Sequence, residues 1–195
     1  MRDTLVVNLI AGSFAGKSTN AARLFSMLKD LGIECELVTE YVKDMVWEGR
    51  NEIFNCQAYI FGKQLYKLQR VKGKVDVIIT DRPVCLDMIY DPEQDEDFKR
   101  YSLKQFNKFN NLNVFLKRNK AFNPNGRNEK TIEEAIAVDN SILKALDENV
   151  IPYMTTTADE KGCKQILDAI ISRLIVSDIY RQQEAQKCPL TKCTV

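Results

Sequence analysis

The sequence predicts an α/β fold, with a parallel sheet of about five strands and helices on both faces. Three observations predict it. Short apolar runs rich in β-branched residues recur at 5–10, 75–80 and 113–117, each of a length that suits a buried strand. Segments with helical spacing of apolar residues lie between them. Strand and helix alternate through most of the length, which yields a parallel sheet with right-handed crossovers. The 195 residues suit a single domain, expected over 1–181, with a polar tail at 182–195.

The first run, Leu5 to Ile10, gives way to Ala11-Gly12-Ser13-Phe14-Ala15-Gly16-Lys17-Ser18-Thr19. The order is strand, small-residue loop, helix start. In such a loop successive backbone N–H groups can curl around an anion. The helix expected from about 17 to 31 would aim its positive end at the same point. Ser13 through Thr19 are therefore candidate nucleotide-binding residues, with Lys17 reaching the terminal phosphates and Ser18 holding Mg²⁺. The pattern is G-x-x-x-x-G-K-[ST] with Ala11 in the first glycine's place, so the turn must enter the loop without a left-handed residue there. It resembles the loop of P-loop NTPases, and a three-layer P-loop fold is what that resemblance implies.

A second strand is expected near 34–39, beside the first, and Glu40 stands at its carboxyl end. That edge of a parallel sheet is where α/β folds open onto a ligand. A solvated carboxylate at a helix start is the plainer alternative. A helix is expected over 51–72, where Gln57, Tyr59, Phe61 and Gln64 could line a pocket or simply belong to a core stripe. The strand at 75–80 ends in Asp81-Arg82-Pro83. A buried strand of this form delivers its terminal carboxylate to the magnesium region, making Asp81 a second candidate metal ligand.

Residues 87–92 read as a link, with Asp91-Pro92 marking a helix start and the acidic run 93–97 complementing that helix's dipole up to about 110. After the strand at 113–117 comes a loop rich in Asn, Gly and basic residues, a candidate lid over about 117–130. Arg118, Lys120 and Arg127 could fold over phosphates from it, or lie in a solvated turn. Thr131-Ile132-Glu133-Glu134 forms a capping box, a last strand is expected at 150–155 in an edge or strand-start position suggested by Pro152, and Thr157-Ala158-Asp159-Glu160 reads as a second capping box before the final helix.

Composition narrows the chemistry. With 28 Lys and Arg against 27 Asp and Glu, the net charge is +1, so no global basic field exists to drive non-specific nucleic-acid binding. The chain has no His, which removes the commonest general base and any Cys/His zinc site. Its six cysteines show no C-x-x-C pair, which with a nucleotide loop implies a reducing, cytoplasmic setting. No run is apolar enough for a bilayer span, so no membrane association is expected, and the chain is expected as a monomer or homodimer.

The Gly-Lys-Ser loop, Glu40-Tyr41-Val42 with Trp47, Asp81-Arg82 and Asn125-Gly126-Arg127 together resemble the small P-loop nucleoside kinases, above all the ribosylnicotinamide-kinase-like group and, more distantly, the deoxynucleoside kinases. The resemblance covers about residues 4–176. It implies an ATP- and Mg²⁺-dependent transfer of the γ-phosphate to a hydroxyl of a nucleoside or nucleotide-like acceptor. It further implies Glu40 as the base at that hydroxyl, Asp81 and Arg82 at the metal and the acceptor end, and Arg127 as the lid arginine, with Arg118 beside it. Tyr41 and Pro83 stand where deoxynucleoside kinases carry Pro and Ser. A hydroxyl in DNA or RNA is the alternative acceptor, with Lys99, Arg100, Lys104 and Lys108 as a basic helix face, and a nucleotide-dependent regulatory ATPase is the third reading.

Overall fold

Every residue of β1 (Leu5–Ile10) is buried, and the strand lies at the centre of the sheet because both of its faces carry apolar side chains. The computed structural model describes residues 3–119 and 131–187. The other strands are β2 (Cys35–Val38), β3 (Val77–Thr80), β4 (Asn110–Lys117) and β5 (Met154–Thr157). They form one parallel sheet in the order β2-β3-β1-β4-β5. The predicted class and strand number hold, and so does the edge position of the last strand.

Alternation along β1 builds two cores. Leu5, Val7 and Leu9 face α1 (Lys17–Asp30) and α7 (Glu160–Lys187), meeting Leu24, Leu28, Ile166 and Ile170. Val6 and Ile10 face the opposite layer, where Phe61 and Leu68 of α3 (Gln57–Gln69), Phe106 of α5 (Glu96–Phe106) and Ile142 of α6 (Ile132–Glu148) pack. Each such leucine or isoleucine contributes roughly 1.5–3 kcal/mol by burial, which fixes the sheet that carries the loops above it. Between β2 and α3 lie the short α2 (Val42–Trp47) and a 3₁₀ turn, and α4 (Asp87–Tyr90) follows β3. No helix among the described residues is long and apolar enough to cross a membrane.

Several local expectations are corrected. β2 is not beside β1; β3 lies between them. The single helix expected over 51–72 is a 3₁₀ turn, Asn51–Asn55, followed by α3, because Cys56 adopts φ −130° and ψ 80° and turns Gln57 inward to a buried carboxylate. The link at 87–92 contains α4. Asp91 caps the turn behind it, accepting from the Asp95 amide at 2.8 Å, and Asp95 is the true N-cap of α5, accepting from Asp97 and Phe98. The last strand starts at Met154, since Val150 sits at φ 52° and the Ile151 amide still bonds the Leu146 carbonyl, finishing α6 rather than opening a strand. The Thr131 capping box forms as expected, but α7 is capped by Asp159, whose Oδ1 accepts from the Gly162 amide at 2.8 Å and from the Thr157 hydroxyl at 2.9 Å. α7 runs to Lys187, past the start expected for a polar tail.

Candidate active site

The phosphate-binding geometry begins where β1 ends. Ala11 keeps an ordinary φ, and the left-handed residues come later, at Phe14 (φ 59°) and Gly16 (φ 90°). A non-glycine residue in that region is strained, and such strain persists where surrounding structure over-determines it. Gly16 is the N-cap of α1, whose first turn carries no acid of its own, so the positive helix end faces the loop. Lys17 Nζ donates to the Ala11 and Gly12 carbonyls at 2.7 Å each, which lays the ammonium along the inside of the loop.

The loop is braced from behind. Asp139 of α6 accepts from the Gly12 amide at 2.5 Å and pairs with Arg118 at 2.7 Å, and Arg118 also donates to the Ser13 carbonyl. A Cβ on Gly12 would stand 2.8 Å from the Asp139 carboxylate and 3.1 Å from the Ala135 carbonyl, so a side chain there would push the brace away from the loop. Arg118 therefore lies beneath the loop with its side chain only 10% exposed.

Because β3 neighbours β1 in register, with Asn8 opposite Thr80, the tip of β3 falls beside the start of α1. Ser18 Oγ donates to Asp81 Oδ2 at 2.6 Å, and Asp81 Oδ1 accepts from the Glu40 amide at 3.0 Å. One carboxylate thus ties the phosphate loop to the end of β2. Lys67 and Gln64 of α3 hold the same turn, Lys67 donating to the Thr39 carbonyl at 2.5 Å and Gln64 accepting from the Tyr41 amide at 3.1 Å. Burial pushes the Lys67 ammonium below its ordinary pKa.

Arg82 bridges Glu40 at 3.2 Å and Asp87 at 2.8 Å, and its guanidinium lies 4.7 Å from the centre of the Tyr90 ring. Burial works against its charge, but Asp87 and Glu40 outweigh burial and hold it above the ordinary arginine range. Asp87 has no exposure, accepts a second bond from Gln57 at 2.6 Å on the same oxygen, and leaves Oδ2 without a partner among the described residues. Burial raises its pKa despite the adjacent guanidinium.

These groups open on one cleft of about 390 Å³. Of the predicted site residues, Ser13, Phe14, Gly16, Lys17, Ser18, Thr19, Glu40, Asp81 and Arg82 line it. Ala15 is buried in the core and Arg118 supports the loop. Arg127 and Lys120, with most of the expected lid, lie outside the described residues. The cleft is also lined by apolar residues including Val46, Phe54, Ile60 and Leu86, with Gln57 and Lys43 as polar points. Phe61 and Gln64 are buried, and Tyr59 is on the outer surface.

Asp87 and Asp139 escaped the sequence reading. Asp139 shows no motif, and Asp87 falls in a stretch read as a link. The donor set suits magnesium: Ser18 and Asp81 offer two hard oxygens 2.6 Å apart, and among the described residues no group of three His, Cys, Asp or Glu could hold a metal alone. Magnesium is commonly held in that way, by one or two side-chain oxygens plus the phosphates of the nucleotide.

A family model described as an AAA domain matches residues 6–161, from β1 to the first turn of α7. No curated protein matches the chain.

Proposed function

The chain belongs to the AAA domain family of P-loop NTPases, and we propose that it is a kinase that moves the γ-phosphate of ATP to a hydroxyl of a nucleoside or nucleotide-like acceptor. The observation that carries this reading is the chain of contacts Ser18–Asp81–Glu40–Arg82, which joins a phosphate loop and a carboxylate–arginine pair on one cleft whose lining is partly apolar. The apolar part of the lining supports an organic acceptor in the same cleft.

Lys17 leaves the Ala11 and Gly12 carbonyls for the β- and γ-phosphates, and the loop amides take the rest of their charge. Magnesium held through Ser18 and Asp81 would supply charge neutralisation at the phosphates. Glu40 accepts the acceptor's hydroxyl proton as its oxygen bonds the γ-phosphorus, while the bond from that phosphorus to the bridging oxygen breaks and ADP leaves. Arg82 donates toward the moving phosphoryl group, its orientation set by Asp87 and Tyr90. Arg127 is the proposed lid arginine, and Arg118 acts on the nucleotide through the Ser13 carbonyl. The test is γ-labelled ATP with magnesium and a panel of nucleosides and nucleotides. Label in an acid-stable ester on one acceptor supports the reading. Label released only as inorganic phosphate, whatever the acceptor, overturns it in favour of an ATPase.

A further inference from the structure

We propose that the outer face of α2 and α3 is a docking surface for single-stranded nucleic acid that feeds the acceptor cleft, an inference resting on the phosphotransfer reading above. Three large aromatic side chains stand out on these two helices: Trp47 is 70% exposed, Tyr66 67% and Tyr59 43%. Scattered exposed aromatics need no explanation, but a group of them on adjoining helices marks an interaction surface.

Along α3 the charge has one sign, whereas α2 carries both, with Lys43 and Asp44 ahead of Trp47. Residues 53–75 contain five Lys and Arg and no Asp or Glu, in a chain whose totals are nearly balanced at 28 and 27. Tyr59, Lys63, Tyr66 and Arg70 follow at helical spacing along one face. Lys63 Nζ lies 5.3 Å from the centre of the Tyr59 ring, so ring and cation share one surface. By contrast, the basic face expected on α5 is offset by acids one turn back, with Lys99 on Glu96 and Arg100 on Asp97.

The surface is continuous with the cleft. Lys43 lines the cleft and makes no ion pair among the described residues. Trp47 lies one helical turn further along α2. On the α3 side, the Tyr59 hydroxyl is 3.1 Å from that of Tyr41, the residue after Glu40. A strand with its bases on these rings and its phosphates near Lys63 and Arg70 would deliver one nucleotide to Glu40. Interleaved aromatics and cations are the means by which single strands are held without sequence preference. A second copy of the chain fits less well. Where a two-fold contact set α3 against α3, that helix would bring cations and no carboxylate of its own to answer them.

Trp47 is the only tryptophan, so it reports its own surface. The experiment titrates the full chain with a ten-nucleotide dT oligomer bearing free hydroxyl ends and follows Trp47 fluorescence at two salt concentrations. Saturable quenching is expected, with affinity falling steeply as salt rises. Tyr66→Ala and Lys63→Glu should each weaken binding about tenfold while leaving labelled transfer to a free nucleoside unchanged. No salt-dependent quenching, or equal affinity in both variants, overturns the surface. A dimer that buries Trp47 and is dissociated by Tyr66→Ala overturns it in favour of a second copy. Label on nucleosides but never on the bound oligomer overturns its link to the cleft. Salt-dependent binding with no labelled acceptor of any kind upholds the surface and sinks the kinase reading alone.

Discussion

Arg118 and Asp139 are paired at 2.7 Å behind the phosphate loop, and each also holds the loop backbone, Asp139 at the Gly12 amide and Arg118 at the Ser13 carbonyl. Neither side chain lines the cleft. The pair joins the end of β4 to α6 and fixes where the loop amides point. Asp139→Ala removes an acceptor from a half-buried amide and a counter-charge from Arg118, at a stability cost of about 1–3 kcal/mol. The KM for ATP should rise about tenfold or more, since small misplacements of positioning groups are costly, with the acceptor's KM unchanged. Initial-rate kinetics with each substrate varied in turn check this; equal rises in both KM values would make the pair merely structural.

Lys17 donates to the Ala11 and Gly12 carbonyls and lines the cleft, where its ammonium is within the loop that would hold the phosphates. Lys17→Ala is expected to abolish transfer with the thermal unfolding midpoint nearly unchanged. Activity near that of the native chain would remove Lys17 from the chemistry.

Glu40 offers a different contrast, because its amide and its carboxylate do separate jobs. The amide holds Asp81, and the carboxylate meets Arg82. Glu40→Gln keeps the first and loses the base, so turnover should fall by about 10²–10⁴-fold while ATP binding, read by equilibrium titration, persists. Parallel loss of turnover and ATP affinity would move Glu40 away from the acceptor.

Asp87 makes stability depend on pH. Burial raises its pKa above the 3.8 of a free aspartate, so the native state holds this proton more tightly than the unfolded chain does. The stabilisation from that proton is fully present below the unfolded pKa and is lost as pH rises through the native one. Asp87→Asn cannot titrate. Relative to native protein, the variant should therefore gain in unfolding midpoint as pH rises from about 3.8 upward. A midpoint difference that stays flat across this window would show that Asp87 does not titrate there.

The sequence disclosed what contiguous residues encode. β1, the loop and α1 form one uninterrupted stretch, and Asp81 ends a buried run, so both could be placed from pattern alone. The strand order could not be, because β3 inserts between β1 and β2 through contacts that no local period reports. Asp139 reaches Gly12 across 127 positions, and nothing in its own surroundings marks it. The break at Cys56 was hidden for a related reason: the apolar stripe continues through it, while the cause is a side-chain bond from Gln57 to Asp87 thirty residues away.

The same separation of local and distant causes sets two loop residues apart. Phe14 and Gly16 both take positive φ, and at Gly16 an added Cβ would also stand 3.1 Å from the Ala158 Cβ. Gly16→Ala therefore combines a left-handed cost of about 1–2 kcal/mol with a contact against the turn before α7. Phe14→Gly relieves a comparable backbone cost but gives up roughly 0.5–1 kcal/mol in chain entropy together with the side chain's own interaction, leaving stability nearly level. Thermal unfolding should thus show a clear loss for Gly16→Ala and little change for Phe14→Gly. Nucleotide affinity should fall in the first, because the N-cap of α1 moves with Gly16, and a Gly16→Ala chain that binds ATP normally would mean the helix end does not hold the phosphates.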